Sequence, residues 1–320
     1  MSLKINFKIL GFILILVILI SSGLFYWNQK QVKNTIKIGY QAINKTLPVW
    51  VAQEKGFFKD AGLDVELQLM SSGNLGIEAV VKGDLQVQYS PGYLPVLQAL
   101  SVSPDKFKIF SNEINQNQDW DGVYSLKENS VKNLSDLTNK KIGVIPGSAS
   151  TSYIKHKLQQ IGLDQNKVEY IQLSPQDQIT ALKSKQIDSL FATEPNKTIL
   201  ELDPSVQKIS KSIFYENPDA VIAVNIINQD FLSNHPEDAK KIIKVLDQAQ
   251  EYVKNNETES RKTISKYMKV NDEVANKMVL VNFTKSNQID EQNLKKYSLF
   301  LKEIGELKQI PELGNVVYKS

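Results

Sequence analysis

The sequence predicts an α/β chain of two lobes, each a mostly parallel sheet flanked by helices, with two crossings between them. Three observations carry this. Residues 36–100 run through strand, polar loop and helix twice, residues 141–196 do so again, and 320 residues suffice for two separate cores. Strand-helix-strand repeats give parallel sheets, because each crossover returns the chain to the same edge. In such sheets ligands bind beyond the carboxyl ends of the strands, so the loops there are where function is expected.

Residues 1–30 stand apart from the fold. Lys4 and Lys8 precede an unbroken apolar run, Ile9 to Ile20, followed by Ser21-Ser22-Gly23 and Leu24-Phe25-Tyr26-Trp27. Taken alone, Ile9 to Ile20 has the length of an export-signal core, with small residues for cleavage behind it. Taken through Trp27, it spans about 28 Å as a helix, close to the hydrocarbon thickness, with an aromatic pair at the far interface. We take the uncleaved membrane anchor, because the aromatic pair lengthens the run; cleavage is the alternative. Either way the chain from residue 31 lies outside the cytoplasm, after a polar linker from Gln29 to Thr35.

The first lobe opens with alternating Ile36, Ile38 and Tyr40, a polar loop from Gln41 to Thr46, and a helix carrying Val49, Trp50 and Ala52 that Gly56 closes. Val65, Leu67 and Leu69 then alternate into Ser71-Ser72-Gly73-Asn74, and a helix runs to Lys82. Gly83-Asp84 turns into a strand of Leu85, Val87 and Tyr89. Three polar loops thus face one place, with Gln41, Asn44, Thr46, Ser72, Gly73, Asn74, Ser90 and Tyr93 as candidate ligand contacts. Phe107 to Ser111 is a further strand. Asn112 to Asp121 reads as polar and irregular, with Trp120 either packed on a core edge or stacking on a ligand. Gly122 to Leu126 alternates as a strand, and the first crossing is placed there.

In the second lobe Ile142-Gly143-Val144-Ile145 is a buried strand that ends at Pro146-Gly147-Ser148-Ala149-Ser150-Thr151. A helix carrying Ile154, Leu158 and Ile161 follows and stops at Gly162. Free N–H groups and the positive dipole end make a helix start an acceptor-binding position. A plain cap needs one hydroxyl, whereas Ser148, Ser150 and Thr151 supply three. Glu194 ends the Ser189-Leu190-Phe191-Ala192 strand before Pro195, where its carboxylate either reaches the cleft or ties the lobes together. Ala220 to Ile226 is the return crossing. Helical stripes follow at Ala239, Ile242, Ile243, Leu246, Ala249 and Val253, and at Leu294, Tyr297, Leu301 and Ile304, as core faces. The domain reading is residues 1–30 as anchor or signal, 31–124 with 225–320 as lobe one, and 125–224 as lobe two.

Composition narrows the chemistry. A net charge of +3 with scattered basic residues gives no case for nucleic acid. The chain has no cysteine, which removes disulfides, thiolate nucleophiles, zinc-thiolate sites and a lipid-modified tether. His156 and His235 lack neighbours at metal-ligand spacing and read as solvent-facing helix residues, so no metal is expected. Arg261 is the single arginine, so an anion would be held by lysine, hydroxyls or backbone N–H groups. No phosphate loop, dinucleotide fingerprint, nucleophile elbow or zinc-protease motif is present, and neither a cofactor nor a catalytic residue is assigned.

The ordered series Gly39-Tyr40, Leu47-Pro48-Val49-Trp50-Val51-Ala52, Lys55-Gly56-Phe57-Phe58-Lys59, Ala61-Gly62-Leu63-Asp64-Val65-Glu66 and Val81-Lys82-Gly83-Asp84 resembles the substrate-binding proteins of the nitrate, sulfonate and taurine type, a family that includes thiamine-pyrimidine binders. The second lobe continues the resemblance through the hydroxyl turn, Ile161-Gly162-Leu163-Asp164, Val168-Glu169-Tyr170-Ile171, Ala181-Leu182-Lys183, Ile187-Asp188 and Glu194-Pro195, so that it covers nearly all of residues 36–226. Gln86 and Lys185-Gln186 depart from the family pattern at strand starts.

The resemblance implies the two-lobed periplasmic-binding-protein fold of type II, with the hydroxyl turn and the Glu-Pro loop lining the cleft. It also implies an extracytoplasmic solute-binding protein, monomeric and not an enzyme, that delivers a small molecule to an ABC importer permease with a separate ATPase subunit. The alternatives are a small-molecule enzyme on the same scaffold, pyrimidine-synthase-like, and a ligand sensor. The pyrimidine enzyme's cysteine cluster is missing here, and no output domain is expected on either side, which leaves a sensor that acts through a partner as the open form of the second alternative. Glu194 favours a ligand with an N–H group, such as an aminopyrimidine or amino-sulfonate; a bare anion would need compensation by Lys45 or a helix start.

Overall fold

The computed structural model describes residues 35–114, 119–146, 148, 150–212 and 220–319. The expected membrane segment, residues 1–30, lies outside them. The first half contains β1 (Ile36–Tyr40), α1 (Leu47–Glu54), α2 (Phe57–Asp60), β2 (Val65–Leu69), α3 (Gly73–Lys82), β3 (Val87–Gln88), α4 (Tyr93–Val102) and β4 (Phe107–Ile114). The middle contains β5 (Asp121–Leu126), β6 (Lys141–Val144), α5 (Ser150–Gln160), β7 (Glu169–Gln172), α6 (Pro175–Lys183), β8 (Ser189–Thr193), α7 (Asn196–Glu201) and β9 (Val206–Ser210). The chain returns through β10 (Val221–Asn228), α8 (Gln229–Asn234), α9 (Pro236–Asn255), α10 (Glu257–Met268), α11 (Asp272–Lys277), β11 (Asn282–Thr284) and α12 (Glu291–Glu303).

Two sheets result, ordered β11-β4-β10-β3-β1-β2 and β7-β6-β8-β5-β9. The expected parallel pairing holds in β2-β1-β3 and in β7-β6-β8, with Ile38 opposite Leu67 and Val87, and Gly143 opposite Ile171 and Leu190. The remaining pairs are antiparallel, so both sheets are mixed. The cause is the place at which β10 and β5 insert. β10, arriving from the second sheet, lies between β3 and β4, and β5, arriving from the first, lies between β8 and β9.

Local sequence explains the elements. β1 and β2 alternate, α3 starts at Ser72, whose hydroxyl accepts from Leu75 N at 3.3 Å, and it ends at Gly83 with φ 86°, a conformation that favours glycine. The α9 stripe of Ala239, Ile242, Ile243, Leu246 and Ala249 packs on Ile38, Val87, Phe110 and Ile227 of the first sheet. Each such Ile or Leu, when fully buried, contributes about 1.5–3 kcal/mol.

Three sequence expectations change. The Asn112 to Asp121 stretch is not wholly irregular: β4 continues through Ser111, Asn112 and Glu113, all buried, and β5 begins at Asp121. All of β5 pairs in the second sheet and all of β10 in the first, so Asp121 to Tyr124 belong with the former and Val221 to Val224 with the latter. A strand keeps its ladder in one sheet, so neither strand is itself a crossing. Trp120 is buried in the cluster that holds Val123 and Phe191.

Gln88, fully buried on β3, lies between Gly39 of β1 and Gly76 of α3, where a Cβ on Gly76 would come within 2.0 Å of its Oε1 and 2.9 Å of its Cγ. The enclosed side chain has nowhere to swing. Gly76→Ala is therefore expected to cost about 1–3 kcal/mol in urea unfolding. A stability within experimental error of the parent would contradict this packing.

Candidate functional site

The carboxyl ends of the parallel strands in the two sheets face each other, and side chains join them at two points. From the first sheet, Asn44 in the loop after β1 donates to Val279 O at 2.6 Å. From the second, Glu194 after β8 accepts from Val279 N at 3.1 Å. At the other point Tyr297 of α12 stacks on Tyr93 of α4, with centroids 6.1 Å apart, and accepts from the Tyr153 hydroxyl of α5. Ser152 of α5 also donates to Glu306 beyond α12. Between these points lie the loops after β1, β2 and β3 on one side and those after β6 and β8 on the other.

The loops of the first sheet converge. The Gln41 side chain lies over Gly73, where an added Cβ would be 3.2 Å from its Oε1 and 3.5 Å from Pro91 Cα. Thr46 is buried and closes the first loop by donating to Gln41 O at 2.8 Å. Ser72 caps α3. Asn74 is not brought to this place: it is exposed in a shallow groove with Ile77, Pro95 and Val102. Tyr93 is buried beneath α12, donating to Leu294 O at 3.2 Å with Ser298 Oγ at 3.0 Å, so it holds that helix.

In the second sheet the Ser148 hydroxyl donates to Ile145 O at 2.9 Å and lies 2.6 Å from Ser150 Oγ, so both hydroxyls brace the turn after β6. Ser150 is buried, whereas Thr151 is half-buried in the first turn of α5. Glu194 is 3% exposed and both its oxygens are engaged, one by Val279 N and the other by Thr198 N at 3.2 Å, with Lys197 Nζ at 3.8 Å. Burial raises its pKa against these hydrogen bonds and the Lys197 charge. Of its two sequence readings, the tie between lobes is the one these contacts support. His156 and His235 are half-buried rather than solvent-facing, the first edge-on to Phe300 and the second stacked on Phe231.

The group that sequence reasoning missed is Glu113. It sits near the end of β4, with no exposed surface, and Oε2 accepts from Ser90 Oγ at 2.7 Å. Ser90, with φ 57°, is held by a 2.7 Å bond from its N–H to Asn225 Oδ1, and Asn225 in turn donates to Ser111 Oγ at 2.7 Å. Burial pushes the Glu113 carboxyl up to about 7 against the lowering effects of the Lys45 charge, Ser90 and Asn225. Lys45, half-buried in the loop after β1, is lowered by desolvation and partly restored by Glu113. The available signal was Ile114, whose apolar side chain after Ser-Asn-Glu marks a strand that continues past Ser111.

Residues 44–260 match the family model described as NMT1/THI5 like. The chain belongs to that family. A chain of Brucella abortus named as a candidate binding protein is 27% identical over 228 residues, which cover 69% of this chain and 67% of the relative. The taurine-binding periplasmic protein of Escherichia coli is 26% identical over 226 residues, 67% of this chain and 68% of that one. A 4-amino-5-hydroxymethyl-2-methylpyrimidine phosphate synthase of Saccharomyces cerevisiae is 22% identical over 235 residues, covering 69% and 67%. The fold matches the alkanesulfonate-binding protein SsuA from Xanthomonas axonopodis pv. citri bound to MOPS, with TM-score 0.74 and 15% identity over 89% of this chain and 98% of that one.

Glu113 sets a pH dependence. Its ordinary value is 4.5 and its folded value about 7, so between them the folded protein keeps a proton that the unfolded chain has released. Stability through this group is therefore highest below about pH 4.5, falls as pH rises towards 7, and is level above. Glu113→Gln should remove that fall and gain about 2–3 kcal/mol over the parent at pH 8, measured by urea unfolding across pH 4.5–8. Parallel pH curves for the two proteins would contradict it.

Proposed function

We propose that this chain is an extracytoplasmic solute-binding protein that captures a small molecule between its two lobes and delivers it to an ABC importer permease served by a separate ATPase. The observation that carries this reading is the convergence of both sets of strand ends on one cleft, the loops after β1, β2 and β3 opposite those after β6 and β8. The family membership and the taurine-binding relative support it.

In this reading residues 36–114 with 221–319 move against residues 121–210 about the two crossings. Gln41, Ser72, Gly73 and Ser90 contribute from one side, and Ser148, Ser150 and Thr151 from the other. A ligand that touches both lobes only in the closed form shifts the population towards it. The Glu194–Val279 and Tyr153–Tyr297 contacts close the cleft around it. Binding rather than turnover is the activity we propose, and the relatives named as binding proteins support it.

A thermal-shift panel of sulfonates, amino-sulfonates, pyrimidines, nitrate and bicarbonate tests the reading. Ligand at a hundred times its dissociation constant should add about 2.7 kcal/mol of stability. If no class in the panel stabilised the protein, solute capture would be the wrong reading.

Ile9 to Trp27 is the proposed tether to the cell membrane; among the described residues no helix is long and apolar enough to cross one. Full-length protein is expected to sediment with membranes, and a chain starting near Lys30 to be soluble and folded. Recovery of mature protein beginning at Leu24 from the extracytoplasmic fraction would replace the tether with a cleaved signal.

A further inference from the structure

Two charged groups at the carboxyl edge of the first sheet lack partners that suit them. Glu113 Oε1 is buried and accepts no hydrogen bond, although Oε2 of the same carboxyl is bonded to Ser90. Lys45 is half-buried beside the first loop, and its charge acts on Glu113, yet the two are not within the 4.0 Å of an ion pair. Buried polar groups in folded proteins are almost always paired, and an orphaned acceptor near an unbridged ammonium marks a place where something else supplies the missing atoms. The two chain neighbours of Lys45 are both fixed, Asn44 to Val279 and Thr46 to Gln41, so the loop holds Lys45 in place.

We propose, building on the solute-binding reading above, that the ligand spans Lys45 and Glu113 and is a small zwitterion, with an oxyacid anion facing the lysine and an amine facing the carboxylate. Lys45 supplies three donors to the anion, as a chain without a cleft arginine requires. Glu113 accepts the amine through the oxygen that Ser90 leaves open, a charge-assisted bond in an enclosed site. Ser90 and Asn225 position that carboxyl, which makes them positioning residues. Glu194 has no free oxygen, so the amine-binding role goes to Glu113.

The groups facing Glu113 are few. Lys45 comes from the loop after β1, Tyr89 and Ser90 from the end of β3, and Asn225 from β10, while the facing strand β11, Asn282–Thr284, brings no titratable side chain. Beyond Tyr89 stand Gln250 and Asp247 of α9. An amine bound here requires the ionised carboxylate, so near pH 6 binding should expel a proton from Glu113.

The test is calorimetric titration of full-length protein with taurine and β-alanine, with ethanesulfonate and propionate lacking the amine, and with ethylamine lacking the anion. A zwitterion is expected to bind at least about tenfold tighter than either single-group analogue. Glu113→Gln should lose the preference over the amine-free analogue, Lys45→Met the preference over the anion-free one, and Lys45→Arg should restore the latter. Repeating the titration at pH 6 in buffers of different ionisation enthalpy should reveal proton release that Glu113→Gln abolishes. Unfolding curves of each variant establish that it is folded. Equal affinity for ethanesulfonate and taurine, an unchanged preference in folded Glu113→Gln, or no binding of either zwitterion would overturn the assignment. Stabilisation by another class in the panel would then leave solute capture standing, whereas silence from every class would remove both.

Discussion

β10 hydrogen-bonds between β3 and β4 although the chain has just left the second sheet, and β5 does the converse between β8 and β9. The first sheet is thus completed only when the chain returns, whereas the second is built wholly from residues 121–210. Backbone N–H and C=O groups in a sheet interior must be paired, so the first sheet cannot form its full ladder until β10 returns between β3 and β4. The chain passes between the two sheets twice, after β4 and after β9.

The two buried glutamates at the cleft have opposite characters because their surroundings differ in donors. Glu194 is surrounded by backbone N–H groups and Lys197, which satisfy both oxygens and leave it a structural tie. Lys197 is itself buried and shared with Glu201 at 2.7 Å, and Glu201 meets Lys208, which reaches Asp119 beside the first crossing. This network links the Glu-Pro turn after β8 to Asp119, just before β5. Glu113 has Ser90 on one oxygen and no donor on the other, with the Lys45 charge acting from beyond ion-pair distance.

α12 adds a second constraint. Its Tyr297 lies between Tyr93 of the first lobe and Tyr153 of the second, and Phe300 packs on Tyr153 with centroids 5.2 Å apart. Aromatic rings offer large apolar contact with a polar tip, and the hydroxyls here pair with one another or with the α12 backbone. These packed rings and the hydroxyl pair hold α12 to both α4 and α5.

The sequence by itself determined the fold and the family: period-two strands, period-3.6 helices and glycine stops are local signals, and their order over residues 36–226 carried the resemblance. It placed Gln41, Gly73, Ser90 and the hydroxyl turn correctly at strand ends, because a strand's end and its following loop are neighbours in the chain. It could not assign the polar residues among them to ligand or scaffold. Asn44 and Glu194 are claimed by Val279, which lies 235 and 85 positions away, and Ser90 is aimed by Asn225, 135 positions away. Tyr93 reads as a loop contact until α12, some 200 residues later, covers it. Glu113 falls where the pattern turns polar, and only the insertion of β10 beside β4 made that stretch a buried strand. Whether a carboxylate is satisfied or left open depends on the donors that surround it in space, and those come from strands and helices far apart in the chain that meet only in the folded protein.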